Sequence, residues 1–429
     1  MAAKPRRHLI TRRTALAGLA GAACFPLTGG SRASAADAGP VFSKDGPNAE
    51  LYGASENYPV PGWWHGRREG NPFSPKYRVG GFSHIDEIFW TRRIAHASTP
   101  WHFKRTPAEI RYRFRGNASS IEDYLARNPV TGLLIAKDDQ ILCEHYQYDR
   151  TDRDRLVSQS MVKSIAGLLV GLAIADGAIK SVDDTPDTYV PGFKGSEYGA
   201  TPIRALLHMA SGVEFGEQQD HDRDLNRLWG SMVTRSWFSR KGTINSITQF
   251  NHRIAPPGTR HYYASIEPDV LAVVVHYATG KSLSDYLREK IWQPIGTEAD
   301  ATWLLDAEDF ELAHFGFSAV LRDWARLARL VAHDGNWNGE PIIPAQWMID
   351  ATTLRPQDAY LAPGKAYPGF GYGYLLWLLP GNRRQFALFG DWGQRIVVDP
   401  ASKLILVQTG LEAINEVWPL WSALVEQSG

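Results

Sequence analysis

The feature that most constrains this chain is Met161 to Ala175, a run of apolar or small residues broken only by Lys163. A helix without a polar face must be enclosed on every side, so the other elements have to pack around it. Asp176-Gly177 follows, and glycine suits the left-handed position that ends a helix. Ser160 and Lys163 stand at the head of this segment, three residues apart and so on one helical face. The serine hydroxyl and N–H lie at the positive end of the helix dipole, where a developing oxyanion is stabilised. Apolar neighbours disfavour a charged Lys163, which lets its amine accept or relay a proton from the serine. By composition, about one Ser-x-x-Lys is expected by chance in a chain of this length. The plain alternative is a capping serine beside a lysine that snorkels outward.

The 429 residues suffice for a large core and point to two lobes. A composition of 44% hydrophobic and 21% charged residues is that of an ordinary globular protein. Lys plus Arg and Asp plus Glu each number 46, so no basic field favours nucleic acid. Six of the basic residues fall in the first 35 with no acid among them, which leaves 40 basic against 46 acidic. That start reads as an export signal: Thr11-Arg12-Arg13-Thr14, an apolar stretch from Ala15 to about Leu27, then Ala33-Ser34-Ala35. Paired arginines before a modest apolar stretch resemble a twin-arginine signal and predict a periplasmic or secreted bacterial protein. The stretch is too short for a membrane span, so no stable insertion is expected. Gly21-Ala22-Ala23 before Cys24 lacks the leucine usual at a lipid-attached cysteine, which argues against a lipoprotein. With Cys24 removed, Cys143 has no partner for a disulfide, and its strand-like setting predicts a buried structural thiol. No Cys-x-x-Cys or His-Glu-x-x-His occurs, and neither a metal nor a cofactor is expected.

Residues 36–105 are rich in Pro, Gly and aromatics, among them Trp63, Trp64, Trp90 and Trp101, and read as a segment that wraps the surface rather than lining a cleft. Gly132–Ala136 and Ile141–His145 flank the polar turn Lys137–Gln140 and predict a hairpin. From about 180 to 380 the pattern is mostly helical, with helices at Pro268–Ala278, Ser282–Trp292 and Arg322–His333. Gln385–Leu388, Arg395–Val398 and Leu404–Gln408 look like strands, and Glu412–Glu426 a closing helix. Strands at the ends and helices between them predict an α+β fold. A sheet-and-helix lobe would be built from 106–175 and 380–429, with a mostly helical lobe from 176–379 and the site at their interface.

Two further stretches carry chemistry. The loop Pro256–Ser265 precedes the Pro268 helix and presents Tyr263 inward. A phenol beside a lysine ammonium has its ionised form stabilised, which makes it a competent general base. Gly390-Asp391-Trp392-Gly393-Gln394 opens a strand where small residues let backbone approach a ligand. There the Asp391 N–H would complete an oxyanion hole with that of Ser160, and Trp392 would offer an apolar wall. An α/β-hydrolase would need Gly-x-Ser-x-Gly, which does not occur, and Gly280-Lys281-Ser282 lacks the first glycine of a phosphate loop. A non-catalytic binding protein would have no need of Ser160, Lys163 and Tyr263 together.

These motifs, in this order, resemble the serine-reactive penicillin-recognising superfamily of class C β-lactamases, D,D-peptidases and related esterases. Within it the likeness is closest to the 6-aminohexanoate-dimer hydrolase and carboxylesterase group. The match runs from about Pro129 to Gly410 through Ser160-Met161-Val162-Lys163-Ser164, Val182-Asp183-Asp184, Leu206–Gly212, Tyr263-Ala264-Ser265, Arg322–Arg326 and Gly393-Gln394. The resemblance implies an antiparallel sheet flanked by helices and an enzyme acting on a small-molecule ester or amide. It also implies Ser160 as nucleophile, Lys163 as proton relay, and Tyr263 as the base that also protonates the leaving group. Ser265 is implied to orient substrate or Lys163, while His208 and Ser211 fix a turn. The family's Lys-Thr-Gly is missing; Gln408-Thr409-Gly410 imitates it but falls after the Asp399-Pro400 turn, an accidental likeness. Loss of that lysine removes a cation that pairs with substrate carboxylates, which favours esters or small amides over β-lactams and D-amino-acid peptides.

Overall fold

In the computed structural model, which describes residues 39–55, 72–217, 222–233 and 241–428, the predicted hairpin is present as Val130–Lys137 (β1) and Gln140–Tyr146 (β2). The export segment, Cys24, Trp63 and Trp64 lie outside the described residues. The turn rests on Asp138 with φ 54°, a left-handed conformation that aspartate tolerates. Three C-terminal strands, Phe386–Gly390 (β3), Gln394–Asp399 (β4) and Leu404–Gly410 (β5), match the predicted ones, each longer by one or two residues. They form an antiparallel meander, and β5 pairs with β1, so both ends of the chain share one sheet in the order β2-β1-β5-β4-β3. Trp377–Leu378 and Gly371–Tyr372 continue it beyond β3, while Val41–Phe42 and Lys104–Arg105 pair in parallel with β2. β5 is buried along its whole length, which explains the apolar run Leu404–Val407 that opens it.

The apolar segment forms Val162–Ala175 (α1), and every residue from Val162 to Ala173 is buried. Ile266–Thr279 (α2) packs against it, Leu321–Ala332 (α3) lies on the sheet, and Val417–Ser428 (α4) closes the chain. Gly177 and Gly280 take positive φ, 74° and 67°, past the ends of α1 and α2. Three expectations are corrected. Ser160 is not the first residue of the α-helix but lies in a 3-10 turn, Gln159–Met161, that leads into it. α2 starts two residues before Pro268, and α4 starts five residues after Glu412. Within the mainly helical middle stretch, Ala301–Leu304 and Phe317–Ala319 are strands, joined with Thr91–Ile94 and Leu156–Val157 in a second sheet. Short strands buried on both faces show no alternation, so periodicity could not reveal them.

That second sheet sets the position of Ser160. Leu156–Val157 pairs with Phe317–Ala319, and the next N–H, that of Ser158, donates to the Phe317 carbonyl at 2.7 Å. The chain then turns through Gln159, held at φ 47°, so the serine is fixed between a strand and a buried helix. A non-glycine residue there costs roughly 1–3 kcal/mol and persists only where the surroundings enforce it.

Candidate active site

Lys163 is 2% exposed, and its Nζ lies 2.6 Å from the Ser160 Oγ. The amine also donates to the His314 carbonyl at 2.9 Å. That carbonyl is held by α2: Asp269 accepts from the His314 N–H at 3.2 Å and pairs with its Nδ1 at 2.6 Å. Burial pushes the Lys163 pKa below that of a free lysine, opposed by Glu217, Asp391 and Asp269. The direction agrees with the sequence reading and suits an amine that takes a proton.

Tyr263 faces the same pair. The Lys163 Nζ stands 5.2 Å from its ring centroid, and the Ser160 hydroxyl favours its ionised form. The expectation of a lysine-stabilised phenolate is nevertheless corrected. Desolvation, with Tyr372 and Glu217 adding to it, pushes the phenol well above its ordinary value, so the resting residue is a neutral phenol. Lys163 is shifted down and Tyr263 up, an opposition that suits a pair exchanging a proton.

The other candidates converge as well. Gly390, at the end of β3, packs so closely on the serine turn that a Cβ there would lie 2.3 Å from the Ser158 carbonyl oxygen. This contact brings Asp391 beside Ser160, and both line one cavity of about 480 Å³ with Tyr263 and Trp392. Neither the Ser160 N–H nor the Asp391 N–H reaches a backbone acceptor among the described residues, the condition for an oxyanion hole. Trp392 has φ 55° and stacks on Phe73, ring centroids 6.1 Å apart. The N-terminal segment therefore also walls the cleft, where the sequence reading favoured wrapping.

Ser265 is present, but its N–H and its hydroxyl both donate to Glu217, each at 2.6 Å. Its hydroxyl is thus committed to a carboxylate rather than free for substrate. His208 and Ser211 stay structural: the His208 carbonyl meets the His261 ring at 3.0 Å, and the Ser211 hydroxyl accepts the Val213 N–H at 3.1 Å. Gln408 and Thr409 are buried in β5, where Gln408 braces the Gly393 carbonyl at 3.0 Å. Cys143 is buried, and desolvation raises its thiol far above reactivity. Among the described residues no cluster of His, Cys, Asp and Glu could hold a metal, and no helix is long and apolar enough to cross a membrane.

Glu217 and the Asp269–His314 pair were missed in the sequence. Glu217 sits in a loop without a motif, and Asp269 looks like an ordinary first-turn acid. Only the approach of distant loops gives them roles.

The Beta-lactamase family model matches residues 118–408. The chain is 26% identical over 341 residues to the 6-aminohexanoate-dimer hydrolase of Paenarthrobacter ureafaciens, covering 76% of this chain and 83% of that protein. Over 194 residues it is 25% identical to an Escherichia coli K12 protein provisionally named a D-alanyl-D-alanine carboxypeptidase, covering 39% of this chain and 42% of that one. Among solved structures, a Bacillus anthracis protein provisionally named a 6-aminohexanoate-dimer hydrolase superposes with TM-score 0.74 at 22% identity, over 83% of this chain and 95% of that one. A family VIII carboxylesterase superposes with TM-score 0.53 at 16% identity, over 70% and 93%. These two likenesses establish the fold.

Proposed function

The chain belongs to the beta-lactamase family of serine hydrolases, and from that premise we propose that it cleaves esters or small linear amides through an acyl-enzyme on Ser160. The observation that carries this reading is the 2.6 Å contact between a buried Lys163 amine and the Ser160 hydroxyl, with the Tyr263 ring centroid 5.2 Å from the same amine. Lys163 takes the hydroxyl proton as Oγ bonds to the substrate carbonyl carbon. The carbonyl oxygen becomes an oxyanion held by the N–H groups of Ser160 and Asp391. As the oxyanion collapses, the bond to the leaving oxygen or nitrogen breaks, and Tyr263 delivers a proton to it, replenished from Lys163. Water then adds to the acyl carbon, gives its proton back along the same path and releases the acid, and Ser160 is restored.

Esters and linear amides are preferred to β-lactams because no lysine stands on the strand edge at Gly390–Gly393. Export by the twin-arginine route is part of the proposal and rests on residues 1–35. Cell fractionation of a variant with Arg12 and Arg13 changed to Lys should find the protein retained inside.

Mass spectrometry after a fluorophosphonate probe tests the central step. One adduct on Ser160 is expected, with none in Ser160→Ala, whose turnover of p-nitrophenyl butyrate should fall by about 10³ or more. Full esterase activity in Ser160→Ala, or labelling at another serine, would sink the mechanism. Nitrocefin turnover above that of short-chain esters would instead mark a β-lactamase.

A further inference from the structure

The Asp391 N–H can serve an oxyanion only if the turn that carries it, Asp391–Gly393, keeps its shape. Trp392, at its centre, has φ 55° and ψ 33°, a left-handed backbone that a bulky residue keeps only where its surroundings enforce it. Part of the enforcement comes from the sheet. The Gln394 Nε2 donates to the Asp391 and Trp392 carbonyls, each at 3.1 Å, and to the Gly410 carbonyl at 2.8 Å. Gly393 follows at φ 87°, so close to the chain leaving β5 that a Cβ there would lie 2.5 Å from the Glu412 carbonyl oxygen.

The indole itself is held by the N-terminal segment. Phe73 stacks on it and Phe82 packs against it, with ring centroids 6.1 Å and 5.4 Å away. The Arg78 Cζ stands over the same indole at 5.2 Å. Phe73 is seated in turn against Phe315 at 5.5 Å, the residue after the His314 whose carbonyl receives the Lys163 amine. Arg78 opens a short helix, Arg78–Ser83, and its guanidinium is spent on backbone. Nε and Nη2 donate to the Phe73 carbonyl at 3.2 Å and 3.0 Å, and Nη1 donates to the Leu411 carbonyl at 2.6 Å. Leu411 directly precedes the Glu412 carbonyl that Gly393 abuts. One side chain thus joins the segment bearing Phe73 to the chain that flanks the Asp391 turn.

We propose that Arg78 is a positioning residue for the oxyanion hole. By tying the Phe73 and Leu411 carbonyls together against the Trp392 indole, it fixes the left-handed turn that presents the Asp391 N–H beside Ser160. The assignment rests on the serine-hydrolase reading and deepens it. Its basis is the shape of the group: a guanidinium bonds two carbonyls with its edge while its face lies on a ring, which an ammonium cannot do at once. Without that clamp Trp392 relaxes toward an ordinary backbone and carries the adjoining Asp391 N–H with it. A displacement of about 1 Å at a reacting centre is enough to cost about a hundredfold in rate.

Paired substrates test it: p-nitrophenyl butyrate and its thiono counterpart, in which sulfur replaces the carbonyl oxygen. Sulfur is a weak hydrogen-bond acceptor, so a formed oxyanion hole favours the oxygen ester. In the intact protein the ratio of kcat/KM, oxygen over thiono, should exceed the ratio measured with hydroxide by at least about tenfold. In Arg78→Met, kcat for the oxygen ester should fall by at least about tenfold with KM within about twofold, while the thiono ester changes little. The ratio then falls toward that of hydroxide. Arg78→Lys keeps a cation over the indole but cannot span both carbonyls, and should lie between. If Arg78→Met lowers both esters equally, the arginine is only a general brace and the assignment is overturned. An unchanged ratio in Arg78→Met overturns it too, because the turn then holds without the clamp. Should Arg78→Met not fold, Arg78→Lys decides, and a parental ratio there overturns the assignment. A hydroxide-like ratio in the intact protein, with the Ser160 fluorophosphonate adduct still formed, overturns the positioning role and leaves the hydrolase reading standing. Absence of both turnover and adduct in the intact protein overturns the hydrolase reading and the positioning role with it.

Discussion

At the scale of single residues, two members of the candidate site are shifted in opposite directions in proton affinity. Lys163 is pushed down by burial, and Tyr263 is pushed up. If the neutral amine activates Ser160, kcat/KM should rise with pH as Lys163 loses its proton, below the value of a free lysine. The sign follows from which form is active: below that pKa the ammonium has no lone pair to offer. Replacing Asp269 with Asn weakens the hold on His314, and through its carbonyl on Lys163, so this ascending limb should shift while the Ser160 adduct still forms. A pH–rate profile unchanged in Asp269→Asn would show that the α2 contact does not set the amine. Tyr263 was legible from its motif, whereas the direction of its shift was not. A phenol's affinity depends on the desolvation supplied by Tyr372 and Glu217, which a spacing argument cannot contain.

At the scale of elements, α1 was the most legible part of the fold because its composition leaves it a single environment. Enclosure also sets its tolerance. At Gly171 an added Cβ would lie 2.4 Å from the Trp347 ring, itself buried on a neighbouring helix, so the two cannot coexist without movement. Gly171→Ala should therefore destabilise by about 1–3 kcal/mol, the usual cost of overpacking, although alanine is the better helix former by about 1 kcal/mol. Urea denaturation checks it, and a more stable variant would mean that propensity outweighs packing. The second sheet shows the opposite case. Ala301–Leu304 and Phe317–Ala319 carry too few residues for any period, and they are strands because each lies beside a partner.

At the scale of the whole molecule, buried acids and imidazoles bound the pH range of stability. Burial lowers His208 to about 3 and His261 to about 4, so both resist protonation in the fold, and stability is lost as pH falls below about 6.5. Glu267, fully buried on α2, is raised from 4.5 to about 8. The folded protein keeps this proton after the unfolded chain has released it, so its contribution is complete below about 4.5 and lost as pH rises through about 8. Asp306 and Asp323, raised to about 6, complete their change earlier, while Glu217 and Asp391 are raised by burial as well, so Glu267 is one contributor to the decline between pH 6.5 and 8. Thermal melts of Glu267→Gln should show a markedly flatter decline of Tm across that interval than the parent protein. Equal slopes would assign the decline to other groups.

Legible from the residues alone were the elements that admit one environment: the enclosed helix, the hairpin of β1 and β2, the C-terminal strands, and the three side chains Ser160, Lys163 and Tyr263. Tertiary structure alone decided what depends on approach between distant segments. It set the serine turn against Gly390, the Asp269–His314 support beneath Lys163, the commitment of Ser265 to Glu217, and the packing of Arg78 on Trp392. The division has a physical origin. Periodicity and composition report how a segment meets water, whereas a site is made of distances between segments, and those exist only once the chain has closed on itself.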